Sequence, residues 1–243
     1  MGEVRLTAVG LEKSFGKSRI IKGLDLACSQ GEIIGLLGPN GAGKTTTFYM
    51  IVGLIRPDKG QVFLGPDDIT PLDLAGRAMD GISYLPQEPS VFRGLSVEKN
   101  ISVPLEAKGL KGQVLKKELD NIIAGFGLEH VRKNKGVSLS GGERRRVEIA
   151  RAMALNPSYL LLDEPFAGID PITVRDIQDM IVNLKKNGIG VIITDHNVKE
   201  TLKICDRAYI IHQGVVIEEG TPEDVIANDQ VRSIYVGKDF VLN

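Results

Sequence analysis

EIIGLLGPNGAGKTTTFYMIVG, residues 32–53, decides how the rest of the chain is read. Its first part, EIIGLLG (32–38), is apolar on consecutive positions, as a strand covered on both faces would be. GPNGAGKT (38–45) then fits G-x-x-x-x-G-K-[ST], and residues 43–54 follow with a helical pattern. Strand, glycine loop and helix in that order are the context a phosphate-binding loop needs. Gly38, Gly41 and Gly43 let the backbone curl with its N–H groups inward, around Pro39, Asn40 and Ala42. Lys44 supplies a mobile point charge for the outer phosphates of a nucleotide. Thr45 offers a hydroxyl to Mg2+, and Thr46 can reach a nearer phosphate. An accidental lysine in a glycine turn would not bring the strand and the helix with it.

Such a loop calls for an acidic residue at the end of another core strand, and YLLLDEP (159–165) supplies it. Asp163 ends an apolar run and is expected to hold the Mg2+ through water. The carboxylate of Glu164, next in line, can face the γ-phosphate from beyond the strand tip, so it is the candidate base for a water attacking in line. His196, in VIITDHN (191–197), stands just past a further apolar strand, at the carboxyl edge where parallel sheets collect ligands. It is expected to contact the γ-phosphate. Gln87, in SYLPQEP (83–89), also follows a strand; its amide can reach the metal or the attacking water, and position alone leaves that role open.

A second anion grip stands in SLSGGERRRVEIAR (138–151), where Ser140, Gly141 and Gly142 open a helical pattern. Free N–H groups, a positive dipole end and no side chains in the way make a helix start of this kind bind anions. One chain thus carries two phosphate grips.

Short apolar runs alternate with helical patterns along the chain. VRLTAV (4–9), EIIGLLG, GISYLP (81–86), YLLLDE (159–164), GVIITD (190–195), RAYIIH (207–212) and GVVIEEG (214–220) read as strands. Helices are expected at 43–54, 113–125, 142–155, 172–187, 197–204 and 222–228, the last opened by a capping Thr221 before Pro222. The alternation predicts an α/β fold with a largely parallel sheet. Residues 88–157 break the rhythm with loops and helical segments only. They are expected to form a helical lobe inserted into a core of residues 1–87 and 158–243, within a single domain of 243 residues.

Composition narrows the function classes. A net charge of −1 argues against a general nucleic-acid binder. Cys28 and Cys205 have no metal-ligand spacing and read as reduced, buried thiols. The sequence MGEVRLTAVGLEKSF lacks the apolar core of a signal peptide, and Leu6 stands where myristoylation wants Ser or Thr. No apolar run approaches the length of a membrane span, so a cytosolic location is expected, with any membrane action through a partner.

GPNGAGKT, Gln87, LSGGE (139–143), LLLDE (160–164) and His196 stand in the order of ABC-type ATPases, and the chain resembles their nucleotide-binding domain over essentially its whole length. The resemblance implies a P-loop NTPase with a RecA-like parallel-sheet core, an antiparallel β subdomain and an inserted helical subdomain. It also implies the use of both grips. Two copies would pack head to tail as a homodimer, with ATP on the loop of one and Ser140, Gly141, Gly142 and Glu143 of the other closing over it in trans. FAGID (166–170) matches the loop lining that interface, and Phe15, in KSFGKSRII (13–21), the aromatic that stacks on adenine; its alternative is an ordinary core Phe. Two transmembrane subunits would be driven by this cycle.

KTTTFYMIVG (44–53), YLPQEPSVFRGLSVEKNI (84–101), LLDEPFAGIDPI (161–172), ITDHNVKETL (193–202) and the ending IYVGKDFVLN (234–243) resemble ATPases of lipopolysaccharide exporters. That implies a subunit on the cytoplasmic face of the inner membrane, which powers extraction of lipopolysaccharide without touching it. The ATPases of branched-chain amino acid importers share the EGTPEDVIAN (219–228) type of ending but lack FAGIDPI. A soluble ABC ATPase acting on DNA or ribosomes would carry a long coiled coil or tandem cassettes, and neither is present. Finally, PSVFRGLSVEKN (89–100) places Phe92 and Arg93 beside Gln87, where they read as an anchor and a charged contact for the membrane partner. The alternative for Phe92 is packing of the lobe onto the core.

Overall fold

A computed structural model of the chain describes residues 4–236; residues 1–3 and most of the ending IYVGKDFVLN lie outside the described residues. Strands β3 (Ile33–Leu37), β7 (Tyr159–Asp163) and β8 (Gly190–Thr194) are buried at every position, as their unbroken apolar sequences require. With β6 (Ile82–Leu85), β9 (Arg207–His212) and β10 (Val215–Gly220) they build a six-stranded sheet of order β10-β9-β3-β8-β7-β6. All neighbours are parallel except β9 and β10, which form an antiparallel edge hairpin. The carboxyl ends of β3, β6, β7 and β8 therefore emerge along one rim, and each is followed by a segment singled out above.

A second sheet is antiparallel, with order β2-β1-β4-β5: β1 (Arg5–Phe15), β2 (Ser18–Ser29), β4 (Lys59–Leu64) and β5 (Asp67–Asp68). Only VRLTAV pointed to it in the local pattern. Register shifts at Ala8/Leu11, Leu11/Glu12 and Lys13/Ser14 break the alternation of β1 and β2, and in β4 only Val62 is buried. The helix after the glycine loop, α1 (Lys44–Val52), lies between the two sheets, where Phe48 and Ile51 join Leu6, Leu26, Leu36 and Leu161 in one core. The other face of the large sheet is covered by α6 (Pro171–Lys186), through Ile177 and Ile181.

Between β6 and β7 no strand occurs among the described residues, and three longer helices pack on a core of their own. They are α3 (Val97–Ala107), α4 (Gly112–Gly125) and α5 (Gly141–Met153), joined through Ile101, Leu105, Ile123 and Val147. The short α2 (Leu74–Met79) and α3 were not among the expected helices; Pro104 inside α3 hides its pattern. Of the C-terminal helices α7 (Val198–Leu202), α8 (Pro222–Ala227) and α9 (Asp229–Val231), α8 starts at a Thr221 capping box with Pro in the first turn. Among the described residues no helix is long and apolar enough to cross a membrane, and both cysteines are free.

Candidate functional site

The glycine loop is shaped by what surrounds it. Gly38 has φ 152° and a Cβ there would sit 2.1 Å from the Ile211 carbonyl oxygen; at Gly43, φ 112°, it would meet Ile21 Cδ1 at 2.4 Å. Only glycine fits either place. Lys44, the first residue of α1, folds back into the loop and its Nζ donates to the carbonyl oxygens of Gly38 (2.8 Å) and Pro39 (3.1 Å). Burial holds its pKa below the ordinary lysine value, against the pull of Glu164, Asp163 and Asp195. Ala42 is buried, Thr46 half-buried, and Asn40, Gly41 and Thr45 are exposed at the mouth.

Four acidic or amide groups converge on the rim beside it. Asp163, buried at the end of β7, has its carboxyl pKa raised by burial, while the Tyr84 hydroxyl donates to Oδ2 at 3.2 Å and opposes the shift. Oδ1 accepts no hydrogen bond among the described residues. Glu164 stands one residue further in the left-handed region, φ 47°, its N–H donating to the Thr194 carbonyl at 2.7 Å. Gln87 Nε2 donates to Glu164 Oε2 at 2.7 Å, and His196 Nδ1 lies 3.2 Å from the same oxygen. Asp195 is buried and its pKa is raised by burial; it accepts the N–H groups of Phe166 (3.0 Å) and Asn197 (2.8 Å) and lies 3.6 Å from His196 Nδ1. Gln87 is thus drawn to the carboxylate by its amide nitrogen, which leaves its amide oxygen for other partners.

No cluster of three or more His, Cys, Asp or Glu side chains forms a metal cage among the described residues. The donors on the rim are the Thr45 hydroxyl, Asp163 Oδ1 and the Gln87 amide oxygen, all hard oxygens and few. That set fits Mg2+, which keeps several waters and shares phosphate oxygens with its substrate.

Sequence reasoning missed Arg145. Buried on α5, it donates to the carbonyl oxygens of Pro86 (3.1 Å), Asp163 (3.1 Å), Glu164 (3.1 Å) and Pro165 (3.4 Å) and pairs with Glu148 at 3.2 Å. Burial lowers its pKa, with Glu148 the first of the groups opposing the shift. It ties the ends of β6 and β7 to the lobe. The middle of three consecutive arginines carries no sign in the sequence that it points inward rather than into water.

Ser140 and the two glycines open a helix, as their sequence pattern predicts. Ser140 caps α5 in a reciprocal box with Glu143: the Ser140 hydroxyl accepts the Glu143 N–H at 3.3 Å, and Glu143 Oε2 accepts both the Ser140 N–H and its hydroxyl at 2.8 Å. These bonds hold the Glu143 carboxyl below its usual range. Ser140, Gly142 and Glu143 line a shallow depression with His130, Arg146 and Thr173, not with the loop at 38–46. Gly141 instead borders a cleft of about 530 Å3 with Gln87, Glu164, Ala167, Gly168 and Ile169, so the FAGID segment and the rim open onto one groove. Phe15, 53% exposed at the tip of β1, is not a core residue. Phe92 is 46% exposed and Arg93 is exposed. The Phe92 ring stacks under the Arg151 guanidinium at 4.9 Å, beside an apolar groove of about 300 Å3 formed with Leu74, Ala78, Tyr84 and Val103.

Comparison with known proteins agrees with this geometry. The model of the ABC transporter family matches residues 21–167. The Haemophilus influenzae lipopolysaccharide export system ATP-binding protein LptB is 52% identical over 98% of this chain and 99% of its own length. A probable ABC transporter ATP-binding protein of Azorhizobium caulinodans is 54% identical over 99% of this chain and 85% of its own. Among solved structures, an ATP-binding cassette of an ABC transporter in its ADP conformation superposes with a TM-score of 0.86 at 29% identity, covering 98% of this chain and all (100%) of that one. A dimeric cassette bound to ADP and Pi in a post-hydrolysis state matches at a TM-score of 0.79 and 26% identity, over 89% of this chain and 98% of that one.

Proposed function

The chain belongs to the ABC transporter family as an ATP-hydrolysing, ATP-binding subunit, and on that premise we propose that it powers the extraction of lipopolysaccharide from the inner membrane through two membrane subunits. The substrate assignment is supported by near full-length identity to proteins named LptB. The hydrolytic assignment is carried by one observation: Gln87 and His196 both reach the same oxygen of Glu164, at 2.7 and 3.2 Å.

ATP would lie along the glycine loop, its outer phosphates on Lys44 and the inward N–H groups of residues 38–46, with the adenine against the exposed face of Phe15. Thr45, Gln87 and Asp163, the last through water, would hold Mg2+, which supplies positive charge to the phosphate oxygens. Glu164 takes a proton from water placed in line with the γ-phosphate. Gln87 and His196 would fix the direction of its carboxylate, and His196, an exposed side chain, would contact the transferred phosphate. Ser140, Gly141, Gly142 and Glu143 of a second copy would close over that phosphate. A closed homodimer would then be stable only while one ligand bridges both grips, and hydrolysis would reopen it.

The groove beside Phe92 and Arg93 would receive the membrane subunits on the cytoplasmic face; an exposed aromatic over an apolar hollow suits an anchor. Separation of the lobe, 88–157, from the core, 1–87 and 158–243, is supported by an apolar cluster made of lobe residues alone, with Ile149 of α5 joining the core-sheet cluster instead. The test is Glu164→Gln with the membrane subunits coexpressed. ATP binding should persist, turnover should fall on the order of 10²-fold or more, and a closed dimer should accumulate on the copurified membrane subunits. Wild-type turnover would remove Glu164 from its role, and failure of the wild-type chain to copurify with lipopolysaccharide-export membrane subunits would remove the transport assignment.

A further inference from the structure

The segment between the catalytic rim and the Phe92 groove, residues 86–92, is held almost wholly by side chains of α5 and α3. Glu148 Oε1 accepts the N–H groups of Ser90 at 2.6 Å and Val91 at 3.2 Å. Its other oxygen takes Arg145, whose remaining donors reach the carbonyls of Pro86, Asp163 and Glu164. Arg151, three residues past Glu148 on α5, donates to the Ser90 carbonyl and hydroxyl, both at 2.6 Å, and stacks on Phe92. Fully buried Asn100 accepts the Phe92 N–H at 2.7 Å and returns a bond to the Phe92 carbonyl at 3.1 Å.

Glu148 is the centre of this chain of contacts. It is 3% exposed, and its two oxygens face in different directions: one to the backbone of the groove segment, one to the arginine that holds the end of β7. Each oxygen has one task, and neither group it serves has a second carboxylate within hydrogen-bond reach among the described residues. A displacement of the Glu164 backbone is passed by Arg145 to a carboxylate that cannot move without releasing or dragging Ser90 and Val91. Buried charge pairs of this sort contribute little net stability against an apolar alternative, so what distinguishes this one is the two groups it holds, one on each oxygen.

We propose that Glu148 is a positioning residue that links the nucleotide rim to the groove segment, so that occupation of the γ-phosphate position shifts the backbone of Ser90–Phe92. This deepens the reading above and rests on its placement of ATP. Coupling between sites is established by a change at one site that depends on the linking group, not by contiguity alone.

The experiment is amide hydrogen exchange on the full chain, with and without Mg2+ and a non-hydrolysable ATP analogue, in wild type, Glu148→Gln and Glu148→Asp. In Glu148→Gln the single amide oxygen can serve the Ser90 and Val91 N–H groups or Arg145, but not both. Glu148→Asp keeps the charge beside Arg145 and is one methylene too short for the backbone. The amides of residues 38–46 report nucleotide binding itself and should slow in all three proteins. In wild type the Ser90, Val91 and Phe92 amides should change by about fivefold or more on adding the analogue, the low end of ordinary coupling between sites. Both variants should lose that change while keeping protection at 38–46. If 38–46 stay unprotected in wild type, the placement of ATP is wrong. If they are protected and 90–92 do not respond, or respond equally in a folded variant, the link through Glu148 is overturned. Should Glu148→Gln fail to fold, Glu148→Asp decides.

Discussion

Glu164 sits at φ 47°, a region that side chains other than Gly, Asn and Asp seldom adopt. The turn is held from two sides, by its N–H on the Thr194 carbonyl and by Arg145 on its own carbonyl. Local strain of this type is of order 1–3 kcal/mol and persists where the surroundings fix it. Here it lifts the carboxylate off the strand tip to where Gln87 and His196 meet it. His196→Ala should therefore lower turnover on the order of 10²-fold, as loss of one group that stabilises developing charge does. ATP affinity, measured by calorimetry, should change little, because the proposed contact is to the outer phosphate alone. Unchanged turnover would leave the histidine a structural residue. Glu164 and His196 were marked out by the apolar strands of a parallel sheet that precede them, whereas position alone left the role of Gln87, just past β6, open. Arg145 and Glu148 were not marked out: in a helix pattern a charged residue reads as solvent-facing, and only the packing of α5 against the ends of β6 and β7 turns these two inward.

At the scale of elements, legibility followed burial. β3, β7 and β8, buried throughout, announced themselves as apolar runs, whereas β2, β4 and β5 carry too few inward residues to do so. The groove segment makes its own prediction. Since Phe92 is exposed and only stacked on Arg151, Phe92→Ala should leave the melting temperature nearly unchanged and free ATP hydrolysis intact, while copurification with the membrane subunits falls. A clear drop in melting temperature with partners still bound would make Phe92 a packing residue. Within the lobe, Glu98 in the first turn of α3 accepts Lys133 at 2.7 Å and Arg132 at 2.9 Å, and these hold its carboxyl below the ordinary 4.5. A depressed folded pKa stabilises the native state above the unfolded value, and that stabilisation is lost as pH falls through the folded one. Glu98→Gln should thus lower stability at neutral pH, and the gap to wild type should close below pH 4.5, read from melting temperatures across that range. A gap that widened in acid would contradict the pairing.

The whole molecule carries two candidate phosphate grips: the loop at 38–46, with Lys44 folded into it, and the start of α5, where Ser140 lies in a depression with His130 and Thr173 while Gly141 borders the cleft of Gln87 and Glu164. One ATP held by one chain has no use for both. In the proposed symmetric head-to-tail pair each nucleotide would meet one grip from each copy. Neither the sequence nor one folded chain carries that assembly by itself, since it is a relation between surfaces of two copies. The direct measurement is mixing. Lys44→Ala and Ser140→Ala, each assayed alone, should be nearly inactive. Mixed in equal amounts, they should recover up to about a quarter of wild-type hydrolysis, because half the pairs then hold one intact site out of two. If mixing restores nothing while each variant is folded, the two grips act within one chain and the account is wrong.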